Sequence, residues 1–550
     1  MRRIFINNII WKQEIIYTCL MICIFSSLCF GQSTFGPVRL QGSLNLSGEF
    51  YGVNGIPDRR PASTNRAILT PTIIIFDQIQ LPFEIYIGSE GRGYLQPFNQ
   101  FGVSPRLFGW LTLHAGYFST KLSNLTFGDT RLLGAGIEMN PGIFRFSFIY
   151  GRSQRAIAPD SINNALGTYS RKIIAVQLGV GSQSSSYFNL NFLHAIDDSN
   201  SIKNAPPFLM PEENAVASLQ FGLPVYTHII SINGEVGISA LSNNIRERTL
   251  KGTSALNWLF TPRNSTQVDG AARMSMNIVP ASVFSMSLTG QWIGPGFVTL
   301  GYAQLPNDVL DVTIGPSFRL LQNKLLINGT FGKRYNNLRS NHLSTTQRTI
   351  GNLNITSQPI QNFGFNINYA NYGMKSSNLN DTLRIDNTTQ SITITPHVNF
   401  NSLGGINTIV LTYSYNNFSD YNVLTSASSQ NKTQAFVVMW SLALPTALAL
   451  STALNYTSSI SLYHNVIIRS IIESAGYPFF NNKVSTNLSL GYNIVSAAST
   501  DGQFTSRLSI SYTFTGTISL NLMSNAYNYG SNESPSYNEF QASLQYSISF

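Results

Sequence analysis

The sequence predicts an all-β protein, a single large closed antiparallel transmembrane β-barrel of roughly 22–26 strands, preceded by a cleaved signal peptide. Three observations predict this fold: little charge, a strict alternation of apolar and polar residues, and turn residues between the alternating runs. The 550 residues are 43% hydrophobic and 12% aromatic but only 11% charged. A soluble globular protein carries about 25% charged residues. The composition is therefore typical of a sheet with one face in lipid and the other in water.

The alternation is clearest at the C-terminus. From Phe540 to Phe550 every second residue is apolar, and Gln or Ser occupies each position between them. Only a strand with two unlike faces has this period of two. The same pattern recurs at 144–148, 363–369 and 508–514.

Turn residues separate these runs as hairpins require. Examples are Asn140-Pro141-Gly142 and Leu403-Gly404-Gly405, whereas longer polar loops such as 197–213 interrupt other runs. Short turns mixed with long loops indicate the two unequal ends of a barrel. At about 20 residues for each strand and its connection, residues 32–550 account for the predicted strand number as one domain.

One apolar stretch, 435–454, has two interpretations: a membrane helix or a hairpin. Large residues such as Phe436, Val438 and Trp440 alternate with smaller ones, and Pro445 lies at the centre. The period of two in side-chain size favours a hairpin whose large residues face lipid.

The first 31 residues have the layout of a secretory signal peptide. Met1-Arg2-Arg3 supplies positive charge, residues 15–30 are apolar, and Cys29-Phe30-Gly31 forms the cleavage site. The alternative is an N-terminal membrane anchor. All three cysteines lie in this segment, so its removal excludes disulfides, thiolate metal sites and cysteine nucleophiles from the mature chain.

The ending LQYSISF resembles the C-terminal assembly signal of bacterial outer-membrane proteins, with matching residues at Leu544, Tyr546, Ile548 and Phe550. In that family the barrel-assembly machinery recognises the last strand. Residues 101–152 also resemble large outer-membrane barrels of Bacteroidota-type bacteria. The resemblance implies export to the bacterial outer membrane, with outer-membrane lipid, lipopolysaccharide and the assembly machinery as partners.

Charged residues within the alternating runs are candidates for the barrel lumen. Glu84, Arg145 and Arg319 lie between apolar neighbours of the opposite parity, and a charge facing lipid at mid-depth would cost ~2–4 kcal/mol. Two interpretations remain: the charges select solutes, or they pair within a filled interior. The basic pair Lys333-Arg334 either contacts lipopolysaccharide phosphates or is ordinary solvated charge.

Enzymatic chemistry is not expected. Among the six histidines, only His194, near Asp197 and Asp198, forms a cluster that could act as an acid–base pair at a barrel rim; the alternative is solvated residues at a strand end. No nucleophile elbow, phosphate loop or metal-spaced motif is present. We predict no catalytic residues, no metal or other cofactor, and no nucleic-acid partner.

The leading hypothesis is a channel or transporter for small solutes. The alternative is a scaffold barrel of a secretion, assembly or surface-attachment complex, its lumen obstructed by loops that fold inward. Loop 197–213 is the expected constriction, because it contains Pro206-Pro207 and Pro211. A third hypothesis, a rim enzyme, depends on His194.

Overall fold

The computed structural model describes most of the chain after the predicted signal peptide. The described residues are 34–550 without 36, 90–99, 129, 160–165, 183–184, 227–228, 251–258, 303, 378–383, 463–464, 498, 515 and 529–535. Residues 1–31 lie outside them, so the signal peptide and its cleavage remain predictions.

The secondary structure is almost entirely strand. The described residues contain 28 β-segments and one four-residue helix, α1 (Ser426–Ser429). In chain order the segments are β1 (Thr34–Phe35), β2 (Val38–Asn54), β3 (Ser63–Ile75), β4 (Ile79–Gly88), β5 (Gln100–Val103), β6 (Arg106–Leu107), β7 (Leu111–Ser119), β8 (Arg131–Met139), β9 (Phe144–Gln154), β10 (Ser170–Gly181), β11 (Tyr187–Asp198), β12 (Glu213–Tyr226), β13 (Ile230–Ser242), β14 (Thr266–Ala281), β15 (Phe284–Ile293), β16 (Val309–Leu320), β17 (Leu325–Tyr335), β18 (Thr346–Ile360), β19 (Phe363–Ser376), β20 (Asp386–Ser402), β21 (Gly405–Asp420), β22 (Asn431–Ala443), β23 (Ala449–Ser461), β24 (Asn465–Phe479), β25 (Val484–Ser496), β26 (Thr500–Thr513), β27 (Thr517–Asn528) and β28 (Tyr537–Ser549).

The strands form one closed antiparallel sheet. Neighbours in sequence are neighbours in the sheet, and β28 returns to β2 along the pairs from Ser43↔Ser549 to Asn54↔Asn538. The short segments β5 and β6 both lie between β4 and β7, so they are two parts of one interrupted strand. Since β1 pairs only with β2, the wall has 26 strands. This confirms the predicted barrel, at the upper end of the predicted strand number.

The two ends of the barrel differ as predicted. Where β2 begins and β28 ends, tight turns join the strands, and Phe76-Asp77 and Leu403-Gly404 each place two successive residues at positive φ. That conformation matches the twist of a two-residue hairpin. The opposite end carries the long connections 120–130, 155–169, 199–212, 243–265 and 294–308. We call the first the turn end and the second the loop end.

The two faces of the wall also differ. On β9, Phe148 and Tyr150 are 41% and 47% exposed, whereas Ser147 and Ile149 are 6% and 0% exposed. Exposed apolar residues recur on the same face of neighbouring strands, for example Leu178, Leu190, Val236 and Val268. An apolar band around a closed sheet suits contact with acyl chains. We call this the outer face; the inner face encloses the lumen.

Stretch 435–454 is a hairpin, as the alternation in side-chain size predicts. It belongs to β22 and β23, which pair from Asn431↔Ser461 to Ala443↔Ala449. Phe436 and Val438 are exposed on the outer face. Within the described residues, no helix has the length and apolar character needed to cross a membrane.

The closing seam has its own apolar cluster. Leu44 and Leu46 of β2 pack with Tyr546 and Ile548 of β28, all buried, and Leu544 packs against them. The backbone of Phe550 exchanges two hydrogen bonds with Gly42, at 2.7 and 3.0 Å. Side-chain packing thus reinforces the backbone pairing that joins the first and last strands of the wall.

We expect Leu44→Ala to destabilise the folded barrel by about 3 kcal/mol, because truncation of a buried leucine leaves a cavity. Unfolding by urea in lipid vesicles, followed by tryptophan fluorescence, measures this change. Leu40→Ala is the matched control on the same strand, since Leu40 is 37% exposed. Equal effects of the two substitutions would show that the cluster does not stabilise the seam.

Candidate functional site

Two long connections enter the barrel instead of extending beyond it. We call residues 120–128 and 130, between β7 and β8, inner loop 1, and residues 294–302 and 304–308, between β15 and β16, inner loop 2. Leu125 and Phe127 of inner loop 1 and Phe297 of inner loop 2 are at most 1% exposed. All three belong to one cluster with inner-face residues of the wall. The lumen is therefore partly filled along this side.

Where the wall packs against the inner loops, much of its inner face is apolar, as its outer face is. Its buried inner-face residues are Leu132, Ile149, Ile173, Ala175, Leu193, Ala195, Val216, Ala271 and Ile293. On β10 this gives the run Ile173-Ile174-Ala175-Val176, in which the polar half of the alternation is missing. Such a run indicates a strand covered on both faces. This signal in the sequence could have located the filled side of the lumen.

The inner loops are bonded to each other. Thr299 Oγ1 donates to the carbonyl of Thr126 at 2.6 Å, and Thr130 Oγ1 donates to the carbonyl of Gly301 at 2.8 Å. A Cβ at position 301 would lie 2.3 Å from Leu193 and 2.7 Å from the carbonyl oxygen of Thr126. Only glycine lets inner loop 2 approach both the wall and inner loop 1 so closely.

The buried carboxylate of Glu235, on β13, anchors inner loop 1. It accepts the backbone N–H groups of Asn124 and Leu125, at 3.0 and 3.3 Å, and the hydroxyl of Ser218 at 2.7 Å. Glu235 is only 2% exposed. Because a buried carboxylate is costly unless it is hydrogen-bonded, this geometry ties the loop to the wall.

Neutral side chains extend this network across three strands. Gln177 donates to the carbonyl of Leu122 at 3.1 Å and to Asn191 Oδ1 at 2.7 Å, and Asn191 donates to Ser218 at 3.1 Å. Inner loop 2 is held similarly by Asn214, which donates to the carbonyl of Val298 at 3.0 Å. No local pattern in the sequence identifies these residues, because their hydrogen bonds join positions 14 to 84 residues apart.

A polar chamber of about 420 Å³ lies beside inner loop 1, on the inner face of β8–β12. Its charged lining residues are Lys121, Glu138 and Arg145, and the amides of Gln177, Asn189 and Gln220 also line it. The Arg145 guanidinium lies 5.2 Å from the centre of the Tyr187 ring. The chamber therefore offers cations and amide groups to a hydrophilic molecule.

Glu138 is held in place by its neighbours. Its Oε1 lies 3.1 Å from His114 Nε2 and accepts the Thr120 hydroxyl. His114 Nδ1 lies 2.9 Å from Ser104 Oγ. Because two partners already occupy this carboxylate oxygen, Lys121 and Arg145 are the charges more available to a solute.

The three predicted lumen charges lie on separate strands, β4, β9 and β16. Glu84 forms an ion pair of 3.0 Å with Arg131, Arg145 lines the chamber, and Arg319 is exposed near the turn end. The structure does not bring them together in one cluster.

The structure does not join His194 to Asp197 or Asp198. His194 and Asp197 are three residues apart on β11, and an odd spacing places them on opposite faces. Asp198 lies on the same face as His194, but its Oδ1 accepts the Asn200 N–H at 3.0 Å. His194 Nε2 instead lies 3.0 Å from Glu213 Oε1, and Arg263 pairs with the same carboxylate. This cluster lies on the outer side at the loop end.

Segment 199–212 also differs from expectation. Its Leu209 carbonyl accepts the Tyr169 hydroxyl at 3.2 Å, and its Pro211 carbonyl accepts the Ile245 N–H at 2.9 Å. It therefore packs against neighbouring loops at the loop end, whereas inner loops 1 and 2 fill the lumen. Burial and nearby Asp197 raise the pKa of Glu212 in this segment, although Arg171 opposes the shift.

The described residues contain no group of three or more His, Cys, Asp or Glu side chains arranged to hold a metal ion.

We expect Glu235→Gln to release inner loop 1, because an amide cannot replace a carboxylate that accepts three hydrogen bonds. Loss of such buried bonds costs ~1–3 kcal/mol. Trypsin cleavage after Lys121 in the folded protein should become roughly tenfold faster. Glu49→Gln, a substitution on the inner face of β2, is the control. An unchanged cleavage rate in Glu235→Gln would show that Glu235 does not anchor the loop.

Comparisons with known proteins found similarity only among solved structures. No family matches the chain, and no curated protein matches it. OccAB3 from Acinetobacter baumannii is 10% identical over 69% of this chain and 99% of its own, with a TM-score of 0.31. The FrpB iron transporter from Neisseria meningitidis is 9% identical over 92% of this chain and 81% of its own, with a TM-score of 0.36. The outer-membrane protein OpdK from Pseudomonas aeruginosa is 9% identical over 69% and 99%, with a TM-score of 0.27. At these TM-scores no function is transferred, and the strand pairing of the chain itself establishes the fold.

Proposed function

We propose that this chain is an integral outer-membrane barrel that acts as a channel or transporter for small hydrophilic solutes. The observation that carries the proposal is the unequal filling of the lumen. The described inner loops cover the wall from β8 to β15, and polar inner-face residues on later strands keep contact with solvent. A barrel of more than 16 strands is wide enough to enclose water unless segments of the chain fill it.

The solvent-exposed side of the lumen is lined by hydrogen-bonded amides and hydroxyls. Asn354 donates to Asn368 at 2.5 Å, and Asn366 donates to Thr356 at 2.7 Å, in exposed positions on β18 and β19. On β26 and β27, Ser509 donates to Asn521 at 2.6 Å, also exposed. Neutral polar groups of this kind suit a hydrated path because they replace water contacts without holding an ion tightly.

The polar chamber supplies a charge preference for solutes that pass along the filled side. Lys121 and Arg145 both line it, and its one lining carboxylate is bonded to His114 and Thr120. Cationic groups at a constriction favour anions through the local field. We infer that the path prefers anionic over cationic solutes.

Conductance of the purified, folded protein in a planar bilayer tests the channel. We expect reproducible open steps with anion selectivity, and we expect Lys121→Gln with Arg145→Gln to reduce that selectivity. Lys432→Gln, on the outer face of β22, is the matched control and should leave it unchanged. A folded, inserted protein that conducts no ions and takes up no labelled solutes would contradict the proposal.

A second function, a scaffold barrel within a larger complex, is favoured by the inner loops themselves. Their mutual hydrogen bonds and buried apolar contacts resemble a permanent obstruction more than a mobile lid. Deletion of residues 296–306 separates the two functions. It should enlarge the conductance of a channel, whereas in a scaffold it should release co-purifying partners.

We further propose that Leu544, Tyr546, Ile548 and Phe550 form the signal that the barrel-assembly machinery recognises. Deletion of Phe550 should leave the protein in the periplasm, where it is degraded. Substitution of both Tyr546 and Phe550 by polar residues should have the same effect. Cell fractionation and immunoblotting measure this, with Gln545→Ser as the control on the polar face. Normal outer-membrane levels of the Phe550 variants would overturn the assignment.

A further inference from the structure

Basic residues on the outer face of the strands gather at the loop end. They are Arg152, Lys172, Lys333, Lys375, Lys432 and Arg469, each within five residues of the end of its strand. At the turn end, the outward positions of the described strands carry no Lys or Arg. We call these residues the basic belt. Outward Lys and Arg side chains of the described strands are therefore confined to the loop end, where one of them, Lys375, pairs with Asp386 at 3.6 Å.

One member of the belt, Lys333, lies in a groove of about 900 Å³ that crosses the outer face from β14 to β19. Gly290 and Gly351 form part of the floor of the groove, because they have no side chains to fill it. Lys333 and Tyr335 lie towards its loop end, and its described lining residues include no carboxylate. Its apolar lining consists of Met274, Met276, Leu288, Val312, Ile314, Phe331 and Tyr369.

A second groove, of about 400 Å³ on β22–β25, repeats the arrangement. Arg469 lies towards its loop end, and again no carboxylate lines it. Its apolar and aromatic lining consists of Phe436, Val438, Leu454, Tyr456, Ile471, Tyr492 and Ile494. Two separate parts of the wall thus combine an apolar groove with a cation at the same rim.

The two cations have no acidic partner within the described chain. Arg334, next to Lys333 in sequence, faces the lumen and pairs with Asp311 at 2.6 Å. The two adjacent cations therefore lie on different faces, Lys333 on the outer face and Arg334 on the inner face. Lys333 and Arg469 form no ion pair with any described residue. A cation on the lipid face costs ~2–4 kcal/mol at mid-depth but only ~0–1 kcal/mol near the interface. Their positions near the loop end therefore suit a bond to an anionic headgroup.

We propose that the two grooves bind a phosphorylated, multiply acylated lipid of the lipopolysaccharide type. Its acyl chains occupy the grooves, and Lys333 and Arg469 bind its phosphates. Arg152, Lys172 and Lys432 hold neighbouring headgroups around the rim, whereas Lys375 pairs with Asp386 at 3.6 Å. This inference rests on the outer-membrane location in the proposed function and does not require channel activity.

A second copy of the chain fits the grooves less well than a lipid. In a symmetric contact between two barrels upright in one membrane, each residue keeps its own depth. Lys333 would then approach another belt cation or the apolar lining of the groove, and the outward carboxylate Asp386 at the same rim already pairs with Lys375 at 3.6 Å. Charge complementarity at this rim therefore favours an anion over another copy of the same surface.

Native mass spectrometry of the full-length folded barrel in detergent tests the proposal. The probes are hexa-acylated lipid A with two phosphates, the same lipid without phosphate, and phosphatidylglycerol. We expect Lys333→Gln and Arg469→Gln each to weaken binding of bisphosphorylated lipid A about fivefold. Lys483→Gln, in a turn at the opposite end, is the matched control and should bind as wild type. A difference in gel mobility between unheated and heated samples verifies that each variant is folded.

Three outcomes would overturn the inference. In the first, wild type and both groove variants bind bisphosphorylated lipid A equally. In the second, wild type binds the phosphorylated and dephosphorylated lipids equally. In the third, wild type binds phosphatidylglycerol as tightly as bisphosphorylated lipid A. A dimer that forms through the grooves and excludes lipid A would overturn it as well. Conductance recorded from the same preparation separates the two proposals, because a silent barrel that binds lipid A contradicts only the channel.

Discussion

The structure depends on one constraint: the backbone N–H and carbonyl groups of the wall must find their hydrogen-bond partners within the wall. In lipid, an unpaired N–H or carbonyl has no water to bond, so a sheet must close on itself. The pairing of β2 with β28 removes the last free edge. The interrupted strand of β5 and β6 meets the same constraint in two pieces, each bonded on both sides. Because the backbone is satisfied in this way, side chains are free to differentiate the two faces.

The inner loops impose a second requirement on part of the wall. Strands β8–β15 are apolar outside for lipid and also largely apolar inside, where they pack Leu125, Phe127 and Phe297. The loop backbone then needs polar partners in that apolar setting. Glu235 and Gln177 supply them from the wall itself. One set of strands therefore serves both as membrane wall and as support for the lumen filling, whereas the later strands need only an outer apolar face.

The fold was predictable because its signals are local. A period of two, as in Phe540 to Phe550, and turn residues such as Leu403-Gly404 report on residues close together in the chain. The hairpin within 435–454 was predictable for the same reason. The position of the inner loops in the lumen was not predictable from local patterns, because Glu235 bonds to Asn124, which is 111 residues away in the sequence. The grouping of His194 with Asp197 failed for a local reason, because their odd spacing on one strand already places the two side chains on opposite faces. The actual partner of His194, Glu213, lies on the neighbouring strand, 19 residues away in the sequence.

The one-sided filling of the lumen also has a mechanical consequence. A hollow shell with one reinforced sector does not bend uniformly. The sector braced by the inner loops resists compression because close-packed side chains leave little free volume. We therefore expect lateral pressure in the bilayer to be taken up mainly by the unbraced arc, where exposed side-chain bonds such as Asn354–Asn368 can exchange without loss of backbone pairing. We also expect the cross-section of this barrel to have a stiff side and a compliant side, so that the sequence sets its direction of easiest flattening.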